Sequence, residues 1–311
     1  MFKAVKHLVI SKGAKFAPFF LLDRFNEPLI VELFTDLTRK PHKTQPAIMF
    51  FIDSYKTNFH RKTVLSRIFG WSRFYFHWNL FYKTFYWLYK RYKAGHADEL
   101  DLVYRATWHS LELIEACGGK VHIEGMENYH GSLDPVIFVG NHMSTIETTL
   151  LPCMIMPHKK ITFVLKQQLL EIPIYSSSVK IMKSIGVTRQ DPIADFKKIL
   201  SEGKKHIENG TSIVIFPQTT RTTKFDPKEF GSAGVKLAKR TGVPIIPFAV
   251  KTDFLKNGKI IKDIGPIDKR KTVHVKFGKP IEVEGNGREA HQKCINFIQE
   301  NLNKWQAEDD K

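Results

Sequence analysis

From Lys120 onward the chain alternates between short apolar runs and stretches of helical periodicity. Residues 121–124, 135–139, 161–165, 212–216, 243–250 and 273–277 are rich in Val, Ile and Phe and bounded by Gly, Pro, Asn or charged residues, the pattern of buried strands. Between them, residues 148–156, 178–184, 195–208 (stopped by Asn209-Gly210) and 232–240 read as helices, and 288–306 as a closing helix. Strands alternating with helices predict an α/β fold, a mostly parallel β-sheet flanked by helices on both faces. Lys256-Asn257-Gly258-Lys259 predicts a hairpin turn.

The first 119 residues follow a different pattern, which divides the chain into 1–119 and 120–311. Ala17-Pro18-Phe19-Phe20-Leu21-Leu22 is too short for a membrane span and lacks the small-residue cleavage site of a secretory signal. Residues 97–117 form a helix with an apolar stripe, stopped by Gly118-Gly119. Residues 69–92 hold thirteen aromatic side chains, with Arg73, His77, Thr84 and Arg91 spaced to form a polar stripe down one side of a helix. Arg73, His77, Asn79 and Lys83 in its middle exclude a transmembrane span. Two readings fit: a helix lying in the membrane–water interface, or a helix packed on the second domain with its polar stripe exposed.

Lys and Arg outnumber Asp and Glu by 48 to 31, a formal net charge of +17, which favours an anionic partner: nucleic acid, a phosphorylated substrate or an acidic membrane surface. A nucleic-acid module is not recognisable, and the aromatics are not interleaved with Lys/Arg-Gly segments, so nucleic acid is not the expected partner. Cys117, Cys153 and Cys294 are far apart and odd in number, which fits reduced thiols and forms no disulfide or metal-ligand pattern.

In a parallel sheet, ligands sit beyond the carboxyl ends of the strands. His142 falls just past one strand end, with Glu147 five positions on. An imidazole can take a proton from a hydroxyl near neutral pH, and a carboxylate can fix its tautomer. On a straight helix five residues would turn the two side chains well apart, so the pair requires a sharp turn after His142. The plainer alternative is a loop histidine beside a helix-start glutamate. Gly186-Val187-Thr188-Arg189, Phe216-Pro217-Gln218-Thr219-Thr220-Arg221-Thr222 and Lys166 fall at three further junctions. Each alone reads as a surface charge, but together they place two guanidinium forks and an ammonium on one candidate rim.

These blocks carry a resemblance. Asn141-His142 through Glu147 resembles the His-x4-Asp block of the PlsC-like glycerolipid (lysophosphatidate) acyltransferases. Lys166 to Pro173 with Ile185-Gly186-Val187-Thr188-Arg189 resembles the family's second block. Phe216-Pro217-Gln218-Thr219-Thr220-Arg221 is similar to its Phe-Pro-Glu-Gly-Thr-Arg block, and Val243-Pro244-Ile245-Ile246-Pro247 to its Val-Pro-Ile-x-Pro strand. Val275 to Ile281 resembles a late strand, so the likeness covers roughly residues 120–285 in the family's order.

The resemblance implies a glycerol-3-phosphate acyltransferase-like fold preceded by a helical membrane-interface region. It implies acyl transfer from acyl-CoA or acyl carrier protein to the hydroxyl of a phosphorylated glycerolipid, most directly 1-acylglycerol-3-phosphate. His142 would be the base, Glu147 its relay partner, and Arg189, Arg221 and Lys166 the holders of the acceptor's phosphate, with no cofactor and no metal. Its partners would be membrane phospholipids and a lysophospholipid, and its place the cytoplasmic face of the inner membrane, lying on it without crossing. Two departures bear on the acceptor. Glu147 stands where the family has Asp, and Gln218-Thr219 where it has Glu-Gly. They leave a lipid A-like or amino-acid lipid acceptor as the alternative, and a non-catalytic membrane- or nucleic-acid-binding protein as the remote one.

Overall fold

The computed structural model describes residues 52–58, 62–96, 100–218, 220–258 and 264–310. The apolar segment at 17–22 and Thr219 lie outside them.

Strand β1 (Tyr55–Lys56) precedes helices α1 (Val64–Phe69) and α2 (Arg73–Asn79), a π-helical turn (Leu80–Tyr86), α3 (Trp87–Lys93) and α4 (Leu100–Ala116). Then come β2 (Lys120–Glu124), α5 (Glu127–His130), β3 (Ile137–Gly140), α6 (Ile146–Ile155), β4 (Ile161–Lys166), α7 (Ser176–Ile181) and β5 (Ile185–Val187). The chain continues through α8 (Pro192–Glu208), β6 (Ser212–Ile215), α9 (Ala233–Thr241), β7 (Ile245–Lys251), β8 (Thr272–Phe277) and α10 (Arg288–Asp309). The eight strands form one sheet in the order β1-β2-β8-β7-β3-β6-β4-β5.

Strands β3 to β7 are mutually parallel, so their carboxyl ends share one edge. β8 runs antiparallel to β7, and β1 antiparallel to β2. The sheet is therefore mixed. Between β7 and β8, Leu255 bridges Ile267 in antiparallel sense and the Lys256 N–H donates to the Pro266 carbonyl at 3.0 Å. Lys259, the last residue of the turn expected at 256–259, lies outside the described residues.

The continuous apolar runs of β3, β6 and β7 follow from burial on both faces. Phe138, Val214, Ile246 and Val250 enter one core with Leu111 of α4 and Leu150 of α6. Ile137, Val139, Ile213, Ile215 and Ile245 enter the other with Ile199, Leu237 and Ile298 of α8, α9 and α10. Gly140 ends β3 because nothing larger fits. A Cβ there would lie 2.3–2.5 Å from ring atoms of Phe248, which is fully buried. Gly140→Ala is expected to cost about 1–3 kcal/mol by overpacking, read as a lowered thermal midpoint.

The aromatic stretch is helical without a break from Arg73 to Lys93, after α1 ends at Phe69. Its backbone passes through the π-helical turn, which breaks the 100° phase on which the polar stripe was drawn. Thr84, assigned to that stripe, is buried and donates to the Ala106 carbonyl of α4 at 3.2 Å. Phe76, Leu80 and Leu88 enter the same core as Phe138 and Phe277. Val64, Ile68, Trp71 and Phe74, by contrast, are exposed.

Candidate active site

The chain leaves β3 through a change of partner. The Asn141 side chain continues the ladder toward β7, donating to the Val250 carbonyl at 2.8 Å and accepting from the Val250 N–H at 2.9 Å. With its side chain in the ladder, the backbone is released to turn, and α6 begins at Ile146. That turn brings His142 Nδ1 to 3.2 Å from Glu147 Oε2, the sharp geometry that a five-residue spacing requires.

Glu147 sits in the first turn of α6, its side chain fully shielded from solvent, where the helix N-terminus favours negative charge. Its carboxylate gathers the local donors: the Ser144 N–H at 2.8 Å, the Met143 N–H at 3.2 Å, and the Thr252 hydroxyl just past β7. Thr252 in turn accepts from Ser144 Oγ at 2.9 Å. A carboxylate with four donors around it acts only as acceptor, so Nδ1 of His142 carries the proton and Nε2 keeps its lone pair. The imidazole stacks on Phe216, centroids 4.3 Å apart, and is 16% exposed.

The loop after β6 closes over the turn. Gln218 Oε1 accepts from the His142 N–H at 2.6 Å, Gln218 Nε2 donates to Thr222 Oγ1 at 2.9 Å, and the Thr222 N–H donates to the His142 carbonyl at 3.0 Å. Arg221 of the same loop donates through Nη1 to Thr145 Oγ1.

Arg189 lies on the loop after β5 with φ of 62°, a left-handed backbone that costs a non-glycine residue free energy. Asp195 of α8 holds it there, accepting from the Arg189 N–H at 2.6 Å, the Thr188 N–H at 2.8 Å and the Thr188 hydroxyl at 3.1 Å. Burial works against the Asp195 carboxylate, but those backbone N–H groups hold it below the usual range. Burial lowers the Arg189 guanidinium below its ordinary value; Asp195 opposes the shift and the positive charge of Arg221 adds to it. The positive charge of Arg221 thus reaches Arg189 on the strand-end rim. Lys166 ends β4 in register with Val187, two residues before Arg189.

His142, Glu147, Gln218, Arg221 and Arg189 thus share the carboxyl edge of the sheet, with Lys166 on the same edge. The other motif residues build strands. Pro244 precedes β7 at the opposite end, where its carbonyl accepts from the Ile137 N–H, and the Pro247 carbonyl accepts from the Gly278 N–H. Gly186 gives β5 its close packing, since a Cβ would lie 2.8 Å from Leu170 Cδ1. Pro217 approaches Gly231, and Thr220 is exposed. Thr252, Ser144 and Asp195 were not foreseen. Thr252 carried the one available signal, a hydroxyl just beyond a strand end.

The span from β2 to the end of β7, which supplies the imidazole, its carboxylate and both guanidiniums, matches the acyltransferase family model over residues 120–251. Over that span the chain is similar to the PlsC-like glycerolipid acyltransferases, enzymes that transfer acyl groups. A 1-acyl-sn-glycerol-3-phosphate acyltransferase of Pseudomonas aeruginosa is 26% identical over 189 residues, 60% of this chain and 70% of the relative. A chloroplastic 1-acyl-sn-glycerol-3-phosphate acyltransferase of Arabidopsis thaliana is 28% identical over 42% of this chain, and the match spans only 36% of that longer protein. Among solved structures, the PlsC 1-acyl-sn-glycerophosphate acyltransferase of Thermotoga maritima shares the fold, with a TM-score of 0.53 and 19% identity over 72% of this chain and 94% of that one.

Proposed function

We propose that this enzyme transfers a fatty acyl group from an acyl thioester, carried by CoA or acyl carrier protein, to the free hydroxyl of 1-acylglycerol-3-phosphate, giving phosphatidic acid. The reading rests above all on the His142–Glu147 pair, a buried carboxylate 3.2 Å from Nδ1, on the same rim as Arg189 and Arg221. Nε2 of His142 takes the hydroxyl proton as the oxygen attacks the thioester carbonyl carbon. Collapse of the tetrahedral oxyanion breaks the carbon–sulfur bond, and the imidazolium returns its proton to the leaving thiolate. The thioester arrives activated, so the chemistry calls for no resident cofactor. The acceptor's phosphate would lie between the guanidinium forks, with Lys166 adding charge. Purified protein offered both donor types with lysophosphatidate, lysophospholipids lacking a terminal phosphate, lipid A precursors and amino-acid lipids tests this by mass spectrometry of products. Lysophosphatidate should be preferred, and acylation only of an acceptor without phosphate would overturn the reading.

Such an acceptor resides in a bilayer. Among the described residues no helix is long and apolar enough to cross one. The proposed attachment is interfacial, on the cytoplasmic face, through the exposed side chains of α1, α2 and the link between them. Trp71 is 71% and Phe74 46% exposed, beside Val64 and Ile68 of α1. Arg67 lies in the last turn of α1 and the Arg73 guanidinium sits 4.9 Å over the Phe74 ring, so the apolar patch is flanked by cations suited to anionic headgroups. Trp78 and Phe85 belong to a different surface: Trp78 is half-buried and Phe85 packs on Tyr175 at 4.8 Å. Trp71→Ser with Phe74→Ser is expected to weaken binding to anionic vesicles by about 3 kcal/mol, roughly 100-fold, with the melting curve unchanged. Undiminished flotation of that variant would place the contact elsewhere.

A further inference from the structure

The substitution that sets this chain apart from the family's Phe-Pro-Glu-Gly-Thr-Arg block has a defined place in the geometry. Gln218 is 5% exposed and makes two directional bonds. The His142 backbone N–H can only donate, which fixes Oε1 toward it and leaves Nε2 to reach Thr222 Oγ1. With the Thr222 N–H closing back on the His142 carbonyl, both backbone polar groups of the residue bearing the imidazole are held by the Gln218–Thr222 segment. Among the described residues, Gln218 is the side chain that joins that loop to the His142 backbone N–H.

We infer that Gln218 is a positioning residue that locks the His142 turn while leaving the rim free of a second acidic group. A glutamate could accept from the same N–H and from the Thr222 hydroxyl, so the lock itself does not require an amide. What the amide withholds is negative charge, on the very loop that carries Arg221. A carboxylate three residues from that guanidinium would compete with an incoming phosphate for it. The family's block carries a glutamate there beside a phosphorylated acceptor, so the neutral side chain changes the strength of acceptor binding and not the class of acceptor. This inference rests on the base role of His142 proposed above.

Two substitutions separate the lock from the charge. Gln218→Leu keeps the volume and removes both bonds; kcat is expected to fall by roughly 10–100-fold, as for a displaced base, with donor and acceptor KM little changed. Gln218→Glu should restore most of that kcat while raising the KM for lysophosphatidate about fivefold and leaving the donor KM alone. Because Gln218 acts through the imidazole, Gln218→Leu should add almost no loss in a His142→Ala background. Wild-type kcat in Gln218→Leu, or full additivity in the double variant, overturns the lock. An unchanged acceptor KM in Gln218→Glu overturns the charge. Should Gln218→Leu fail to fold, Thr222→Val removes one arm of the lock and is expected to lower kcat in the same way, with wild-type kcat overturning the lock. Wild-type turnover in His142→Ala alone is a different failure: it removes the base, and with it any positioning role.

Discussion

His142→Ala should lower kcat by about 10²–10⁴-fold while the protein still folds, because on the proposed mechanism it removes the general base and not a packing element. The ring is 16% exposed and contributes one stacking contact, with Phe216, so a truncated side chain leaves a dent at the rim and no cavity in either core. Glu147 is a harder test. Its carboxylate accepts from His142 Nδ1, two backbone N–H groups and the Thr252 hydroxyl. Glu147→Gln keeps the shape but turns an NH₂ toward groups that themselves donate, leaving buried donors facing one another. Turnover should fall on the order of 100-fold or more, from the lost orientation and stabilisation of the imidazolium. Glu147→Asp keeps the charge on a shorter arm and should retain more activity than Glu147→Gln. Steady-state kinetics beside melting curves decide the matter: a folded His142→Ala enzyme turning over at the wild-type rate would end the mechanism.

Much of this site could be read from the chain because its parts are local. A strand, a turn and a helix start within a dozen residues state where His142 must lie, and the requirement of a sharp turn is met by Asn141 taking over the ladder. The partners that complete the site are not local. Thr252 reaches Glu147 across 105 residues of sequence, and Gln218 reaches His142 across 76. A threonine after a strand looks like any other until the sheet order sets β7 beside β3. β5 was not foreseen as a strand because Ile185–Val187 is too short to show a period. The aromatic stretch misled for a different reason. Periodicity assumes one helical pitch, and the π-helical turn changes the pitch in its middle. Composition alone could not say which aromatic rings are core and which face outward. That division follows from contact with α4, which buries Phe76 and Leu88 and leaves Trp71 outside.

Arg189→Ala and Arg221→Ala should each raise the KM for lysophosphatidate by about 1.5–3 kcal/mol, roughly 10- to 150-fold, with the donor KM changing much less. The backbone at Arg189 adds a second expectation. Burial pushes the Arg189 guanidinium below its ordinary value, with Asp195 opposing the shift and the charge of Arg221 adding to it. Its left-handed backbone suits glycine and strains alanine as much as arginine, so Arg189→Gly should melt higher than Arg189→Ala while both lose acceptor affinity. Arg189→Gly would then lose function without losing stability, the trade expected where a strained backbone is kept for a ligand's sake. Asp195→Ala should do the reverse. It strips the acceptor from the Thr188 and Arg189 N–H groups and should lower both stability and acceptor affinity. Lys in place of either arginine should recover part of the affinity, since it restores the charge but not the bidentate fork. A marked loss of melting temperature in Arg189→Ala with an unchanged acceptor KM would assign that arginine to the fold and leave the phosphate without its cradle.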